Sequence, residues 1–147
     1  MAFTLKSGLD IEEQDRVRVA EGLKSFNRSQ YPVADHHMID MEAFAVIAYD
    51  GRDEIVGGLL GNLGWGWLFV RALWVDDRAR GAGLGSAILK RAERDVLASG
   101  NVGVYLDTVD TQAPAFYRRH GYEEFGVLQD YPPGGKLHFF KKQLRRP

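Results

Sequence analysis

The 147-residue chain contains no cysteine. That absence excludes a disulfide framework, thiolate zinc sites, iron–sulfur clusters and a cysteine nucleophile. Proline is scarce, five residues in all, and no Pro/Ser-rich linker, low-complexity tract or internal repeat divides the sequence. There is no excess of charge of either sign: 19 Lys and Arg stand against 20 Asp and Glu, a net charge of −1. This balance speaks against a general nucleic-acid binder. No apolar run approaches the roughly 18–20 residues that span a bilayer. The start, Met1-Ala-Phe-Thr-Leu-Lys6, lacks the charged opening and long apolar stretch of a signal peptide. The expectation is one cytoplasmic domain over residues 1–147, with no membrane or nucleic-acid partner. The length suits that reading, since domains most often run to about 100–150 residues.

The composition is 45% hydrophobic and 27% charged, ordinary for a folded domain. Phe3–Lys6 reads as a short strand, and Asp10 as the cap of a helix over 11–26, with Val19, Leu23 and Phe26 at helical spacing. Residues 31–42 read as loop with a helical turn. The period then changes, and Phe44–Tyr49, Glu54–Gly61 and Trp65–Val75 read as an antiparallel meander with a turn at Asp50–Asp53. A helix runs to about Ser99, with Leu84, Ile88, Ala92 and Val96 as its apolar stripe and Gly100 as its stop. Gly103–Asp107 is the next strand. A strand, a Gly-rich turn, a helix and a strand form a βαβ unit, so the two strands flanking the helix are expected to be parallel. A short helix over Ala113–His120 tolerates Pro114 in its first turn. Glu124–Leu128 and Lys136–Gln143 complete the strands.

Arg80-Gly81-Ala82-Gly83-Leu84-Gly85-Ser86 carries the chemistry. Its glycines allow a sharp turn and close approach of a ligand. Successive amides at a helix start attract an anion, reinforced by the helix dipole, and Arg78 and Arg80 add positive charge. The physical inference is a phosphate or pyrophosphate cradle, set against a plain strand-to-helix turn with nothing bound. A Walker loop is excluded, because no Gly-Lys-Ser/Thr follows. A dinucleotide fingerprint fits Gly81-x-Gly83 but meets Ser86 where its third glycine belongs. A nicotinamide-dependent reductase therefore stands as a distant alternative.

The sequence resembles the GNAT superfamily of N-acetyltransferases. Their phosphate motif, Arg/Gln-x-x-Gly-x-Gly/Ala after a strand ending Leu-x-Val, appears as Leu73-Trp74-Val75 and then Arg80-Gly-Ala-Gly83-Leu-Gly85. Their Tyr-x-x-x-Gly-Phe/Tyr helix appears as Phe116-Tyr117-Arg-Arg-His-Gly121-Tyr122. The likeness covers residues 44–143 well and is closest to a bacterial subgroup of mostly undefined substrate. It implies an α+β, three-layer fold: a mixed, mostly antiparallel sheet of six to seven strands, one parallel and splayed pair, and helices on both faces. It implies acetyl-CoA as co-substrate and no metal. Pyrophosphate binding falls to the backbone of Arg80, Gly81, Ala82, Gly83, Gly85 and Ser86. Contacts to the pantetheine arm fall to the main chain of Leu73, Trp74 and Val75, with Phe116 and Tyr117 beside the cofactor. Two departures stand out. The Asn that often precedes the Tyr helix is replaced, with Asp110 and Gln112 as the nearest candidates, and Asp76-Asp77 stands where a proline is common.

The resemblance makes Tyr117 the general acid toward the leaving thiolate, against a reading as a core aromatic beside Phe116. Asp107, at a strand end, is a candidate base or a turn-forming carboxylate. Glu42, His36 and His37 are weaker candidates for the base, and no spacing of histidines suggests a metal. Trp65, Trp67 and Phe69 alternate, so they should share one strand face, as core or as an aromatic wall beside the acetyl group. The expected activity is direct attack by a primary amine of a small molecule on acetyl-CoA in a ternary complex. A non-catalytic acyl-CoA-binding module on the same fold is the alternative. A homodimer is left open.

Overall fold

The computed structural model describes residues 1–110 and 113–145, and the chain divides into two units, Met1–Asp40 and Met41–Pro147. In the first, helix α1 spans Glu13–Gln30, a 3-10 turn covers Val33–Asp35, and helix α2 spans His36–Ile39. The cap of α1 is at Glu12, not Asp10, and makes no side-chain capping bond. Instead Arg16 reaches back to the carbonyls of Leu9 (2.8 Å) and Ile11 (3.1 Å), tying the entering chain to the first turn. The helix runs four residues past the expected end. Pro32 sets the limit, because a residue before proline avoids helical dihedrals and Tyr31 is extended at φ −122°, ψ 148°. Asp40 receives Lys24 (3.1 Å) and Arg28 (2.8 Å) within this unit. Phe3–Lys6 is not a strand, because no ladder among the described residues includes it. An extended segment without a partner strand has nothing to satisfy its backbone groups except water.

The second unit is a six-stranded sheet with two helices. Its elements are β1 (Glu42–Tyr49), β2 (Ile55–Gly64), β3 (Trp67–Val75), α3 (Leu84–Ala98), β4 (Gly103–Val109), α4 (Pro114–Arg119), β5 (Glu123–Gln129) and β6 (Lys136–Gln143). The strand order is β1-β2-β3-β4-β6-β5. All neighbours are antiparallel except β3 and β4, which the α3 crossover makes parallel. Alternation along the strands turns Leu59, Leu68, Val70, Val104, Leu106 and Phe140 to one face. There they meet Ile88, Leu89, Ala92 and Val96 of α3 and Tyr117 of α4 in one buried cluster. Residues β2 and β3 turn through Trp65 and Gly66, both at positive φ (55° and 80°), the two-residue loop that suits strand twist. Trp65 therefore lies in the turn and shares no strand face with Trp67 and Phe69. Those two flank Tyr105 instead, with ring centroids at 6.4 and 5.0 Å.

Two irregularities position the site. Between the β2–β3 pairs Leu60↔Ala72 and Gly61↔Val70 the register slips by one residue. Arg71 is thus the extra residue of a β-bulge, which twists and bends its strand. Gly61 permits this, since a Cβ there would collide with the Phe69 carbonyl. The β3–β4 ladder runs from Trp67↔Gly103 to Val70↔Leu106 and stops there. From Arg71 onward β3 stays with β2, while β4 from Asp107 onward stays with β6.

Candidate active site

The divergence of β3 and β4 opens a cleft of about 700 Å³. Val70–Val75 line one wall, Asp107 and Thr108 the other, and Ala113, Phe116 and Tyr117 of α4 lie against it. Arg80 and Gly85 close the end where the Gly-rich turn meets α3. Backbone groups of β3 that face the gap have lost their ladder partner, and buried backbone groups need partners. An extended ligand with amides of its own would supply them.

The turn has the form the sequence implied. Asp76 caps a 3-10 turn (Asp77–Ala79) by accepting from the Arg78 amide at 2.8 Å. Gly81 and Gly83 sit at φ 80° and 78°, in the left-handed region that side chains avoid. The first helical bond of α3 runs from the Ala87 amide to the Gly83 carbonyl, 3.0 Å. The amides of Leu84, Gly85 and Ser86 come before it and have no acceptor inside the helix. They point out of its positive end. One expectation changes: neither arginine adds free charge. Arg78 pairs with Glu54 (3.1 Å) and Asp76 (3.1 Å), and Arg80 pairs with Asp77 (2.7 Å). What this turn has to offer an anion is therefore its backbone amides rather than free side-chain charge.

Tyr117 is only 7% exposed. Its ring packs against Phe116, Tyr122 and Phe140, so the residue is both a core aromatic and a wall of the cleft. Burial, with the negative charge of Asp107 second, pushes its phenol up to about 12. Asp107 itself is exposed. Phe116 meets the edge of the His120 ring, centroids 4.5 Å apart, and lies over Gly85. His120 Nε2 is hydrogen-bonded to Ser86 Oγ at 2.8 Å, linking the Tyr helix to the Gly-rich turn. This link was not foreseen. His120 lies four residues after Phe116, on the same face of the helix, but only the tertiary structure brings Ser86 to it. Below it, Glu93, a side chain only 12% exposed, accepts from Tyr122 (3.1 Å) and Lys142 (2.9 Å).

The other candidates lie elsewhere. Glu42 opens β1 opposite Leu63 and is not part of the cleft lining. His36 bonds to the carbonyls of Arg28 and Tyr31, and His37 to that of Ala34. Asp110 pairs with His138, whose other nitrogen meets Glu124 at 2.6 Å. Asp110 lines a neighbouring hollow rather than the cleft. Gln112 lies outside the described residues. Arg71 also lines the cleft, and its one signal in the sequence is that it is the lone charged residue in the apolar run Trp67–Val75.

The split parallel pair with a Gly-rich helix start at its mouth is the arrangement that the resemblance to the N-acetyltransferases implied. Residues 11–122 match the model of the acetyltransferase (GNAT) family, and the chain belongs to that family as an acetyl-CoA-dependent N-acetyltransferase. It is 46% identical over 105 residues to blasticidin-S acetyltransferase of Streptomyces morookaense, covering 71% of this chain and 77% of that one. It is 27% identical over 144 residues to acetyltransferase Atu2258 of Agrobacterium fabrum, covering 98% and 100%. The crystal structure of an acetyltransferase from Bacillus cereus superposes with a TM-score of 0.82 at 30% identity, covering 94% and 97%. A nicotinamide-dependent reductase is thereby set aside. Among the described residues no helix is long and apolar enough to cross a membrane.

Proposed function

We infer that the enzyme transfers the acetyl group of acetyl-CoA to a primary amine of a small molecule, by direct attack in a ternary complex. The observation that carries this reading is the cleft itself: the opened β3–β4 gap, the outward amides at the start of α3, and Tyr117 and Asp107 together at its inner end. The family match over 11–122 spans both units and supports one acetyltransferase domain. The likeness to an enzyme named for blasticidin S supports a small acceptor.

The backbone from Arg80 to Ser86 holds the diphosphate. The main chain of Leu73, Trp74 and Val75 pairs with the amides of the pantetheine arm, and Phe116 packs beside it. The acceptor nitrogen attacks the thioester carbonyl, a C–N bond forms and the C–S bond breaks. An alkyl ammonium has a pKa near 10.4, so freeing its amine at pH 7 costs roughly 4–5 kcal/mol. A carboxylate is too weak a base to strip an alkyl ammonium beforehand, so this first proton leaves to solvent at that cost. Asp107 holds the ammonium until then and, once the neutral amine has attacked, accepts the second proton from the nitrogen that the new bond has acidified. Tyr117 acts at the leaving sulfur. A phenol at about 12 lies some 3.5 units above a thiol near 8.5, so full transfer to a free thiolate is uphill by about 5 kcal/mol. Tyr117 therefore stabilises the departing sulfur as a hydrogen-bond donor, releasing its proton only as the C–S bond breaks.

Titration calorimetry with acetyl-CoA, on the parent and on Gly83→Val, tests this reading together with thiol release across a panel of amines. The parent binds and turns over. The variant loses donor affinity, because a β-branched residue is strained at φ 78°. Absence of binding by the parent, or equal binding by both proteins, overturns it.

A further inference from the structure

The last couple of the β3–β4 ladder is Val70↔Leu106. The next residue on β3 is Arg71, and the next on β4 is Asp107. A cation and a carboxylate thus stand on the two strands at the point where these part. Both line the cleft. Among the described residues neither makes an ion pair or a side-chain hydrogen bond. Arg80, the remaining charged residue of the lining, is held by Asp77. Arg71 is exposed, and an unpaired guanidinium in a concave site offers a planar fork that grips an anion in two places.

That anion is not the donor's diphosphate. Four residues of extended strand, a rise of about 13 Å, separate Arg71 from Val75, where the Gly-rich turn begins. Arg71 lies at the acyl end of the donor, where the acceptor must arrive. The bulge carries it onto a second surface as well. Arg71 also lines a hollow of about 420 Å³ on β1–β3, floored by the small residues Ala43, Ala45 and Ala72 and edged by Asn62.

Resting on the acetyl-transfer reading above, the geometry points to an acceptor that carries a carboxylate as well as its amine: the ammonium faces Asp107, and the carboxylate is gripped by Arg71. Arg71 is then a specificity-determining residue, and the preferred substrates are amino acids or molecules bearing an amino-acid-like end. The two charges explain each other. Asp107 alone would accept any amine, whereas Arg71 raises the affinity of amines that bring an anion and repels purely cationic ones.

The test uses the full chain with acetyl-CoA and matched acceptors, from β-alanine to 6-aminohexanoate and including α-amino acids, each beside its carboxamide. Thiol release gives kcat/KM for both members of each pair. In the parent the carboxylate member leads by roughly 10- to 100-fold, the effect of a hydrogen bond to a charged group. Arg71→Met abolishes that lead through KM, Arg71→Lys keeps part of it, and calorimetry shows unchanged acetyl-CoA affinity in both variants. The inference is overturned if the amides are used as well as the acids, if the lead survives in Arg71→Met, or if no acceptor of either kind reacts while acetyl-CoA still binds. A parent that fails to bind acetyl-CoA overturns the acetyl-transfer reading instead.

Discussion

His120 Nε2 and Ser86 Oγ, 34 residues apart in sequence, are hydrogen-bonded at 2.8 Å and join α4 to the start of α3. Burial lowers the His120 pKa from its usual 6.5. The unfolded chain therefore takes up this proton more readily than the folded one, and the contribution to stability rises with pH. It is fully present above about pH 6.5 and is lost as pH falls through the lowered value. The thermal midpoint of the parent minus that of His120→Gln is expected to shrink on acidification from about pH 7 to about pH 5. A difference independent of pH would show that the bond does not depend on a neutral ring.

His138 has the opposite sign. Hydrogen bonds to Asp110 and then Glu124 raise its pKa. The folded state holds this proton more tightly than the unfolded chain does. Its contribution is fully present below about pH 6.5 and fades as pH rises through the raised value. His138→Gln should therefore be most damaging in mild acid and least so in alkali. The check is the same melting series, with Asp110→Asn expected to reduce the pH dependence.

Tyr117→Phe keeps the ring contacts with Tyr122 and Phe140 and removes only the hydroxyl. Steady-state kinetics should show kcat reduced by about 10²- to 10³-fold, the usual effect of deleting a preorganised donor. The Kd for acetyl-CoA and the melting temperature should change little. Because the phenol is pushed up to about 12, it stays protonated in the working range, and kcat of the parent should not fall between about pH 8 and about pH 10. Unchanged turnover in the variant would remove Tyr117 from the chemistry.

Gly61→Ala tests the bulge. The new methyl would meet the Phe69 carbonyl and, at 2.9 Å, Leu68 Cδ1. The backbone must move, at a cost of about 1–3 kcal/mol. Because Arg71 is the bulged residue opposite this position, kcat/KM for the acceptor is expected to fall more than acetyl-CoA affinity. Denaturant unfolding and kinetics on the same preparation separate the two effects.

Much of this was legible in the residues. The period-2 runs of β1 to β3, the stripe Ile88–Ala92–Val96 and the glycines at 81 and 83 are local signals, and each appeared where local physics put it. Features that depend on distant partners were not legible. Phe3–Lys6 has strand-like residues but no strand to pair with. Trp65 continues an alternating pattern, yet a tight turn at Trp65-Gly66 overrides it. Arg78 and Arg80 read as free charge until Glu54 and Asp77 are placed beside them. The bulge at Arg71 leaves no mark in the sequence except a lone charge in an apolar strand, and the role of that charge depends on Asp107, which is 36 residues away.

Among the described residues the ladder between the two three-stranded ribbons has four couples, Trp67–Val70 with Gly103–Leu106, and the buried cluster under α3 joins them as well. Beyond that seam the strands part, and a molecule in the gap would lie between both ribbons. On the reading proposed above, a donor whose amides pair with β3 inside the gap would act as a splint. Binding of the donor to the folded state alone, at about 100 times its Kd, should then raise stability by about 2.7 kcal/mol.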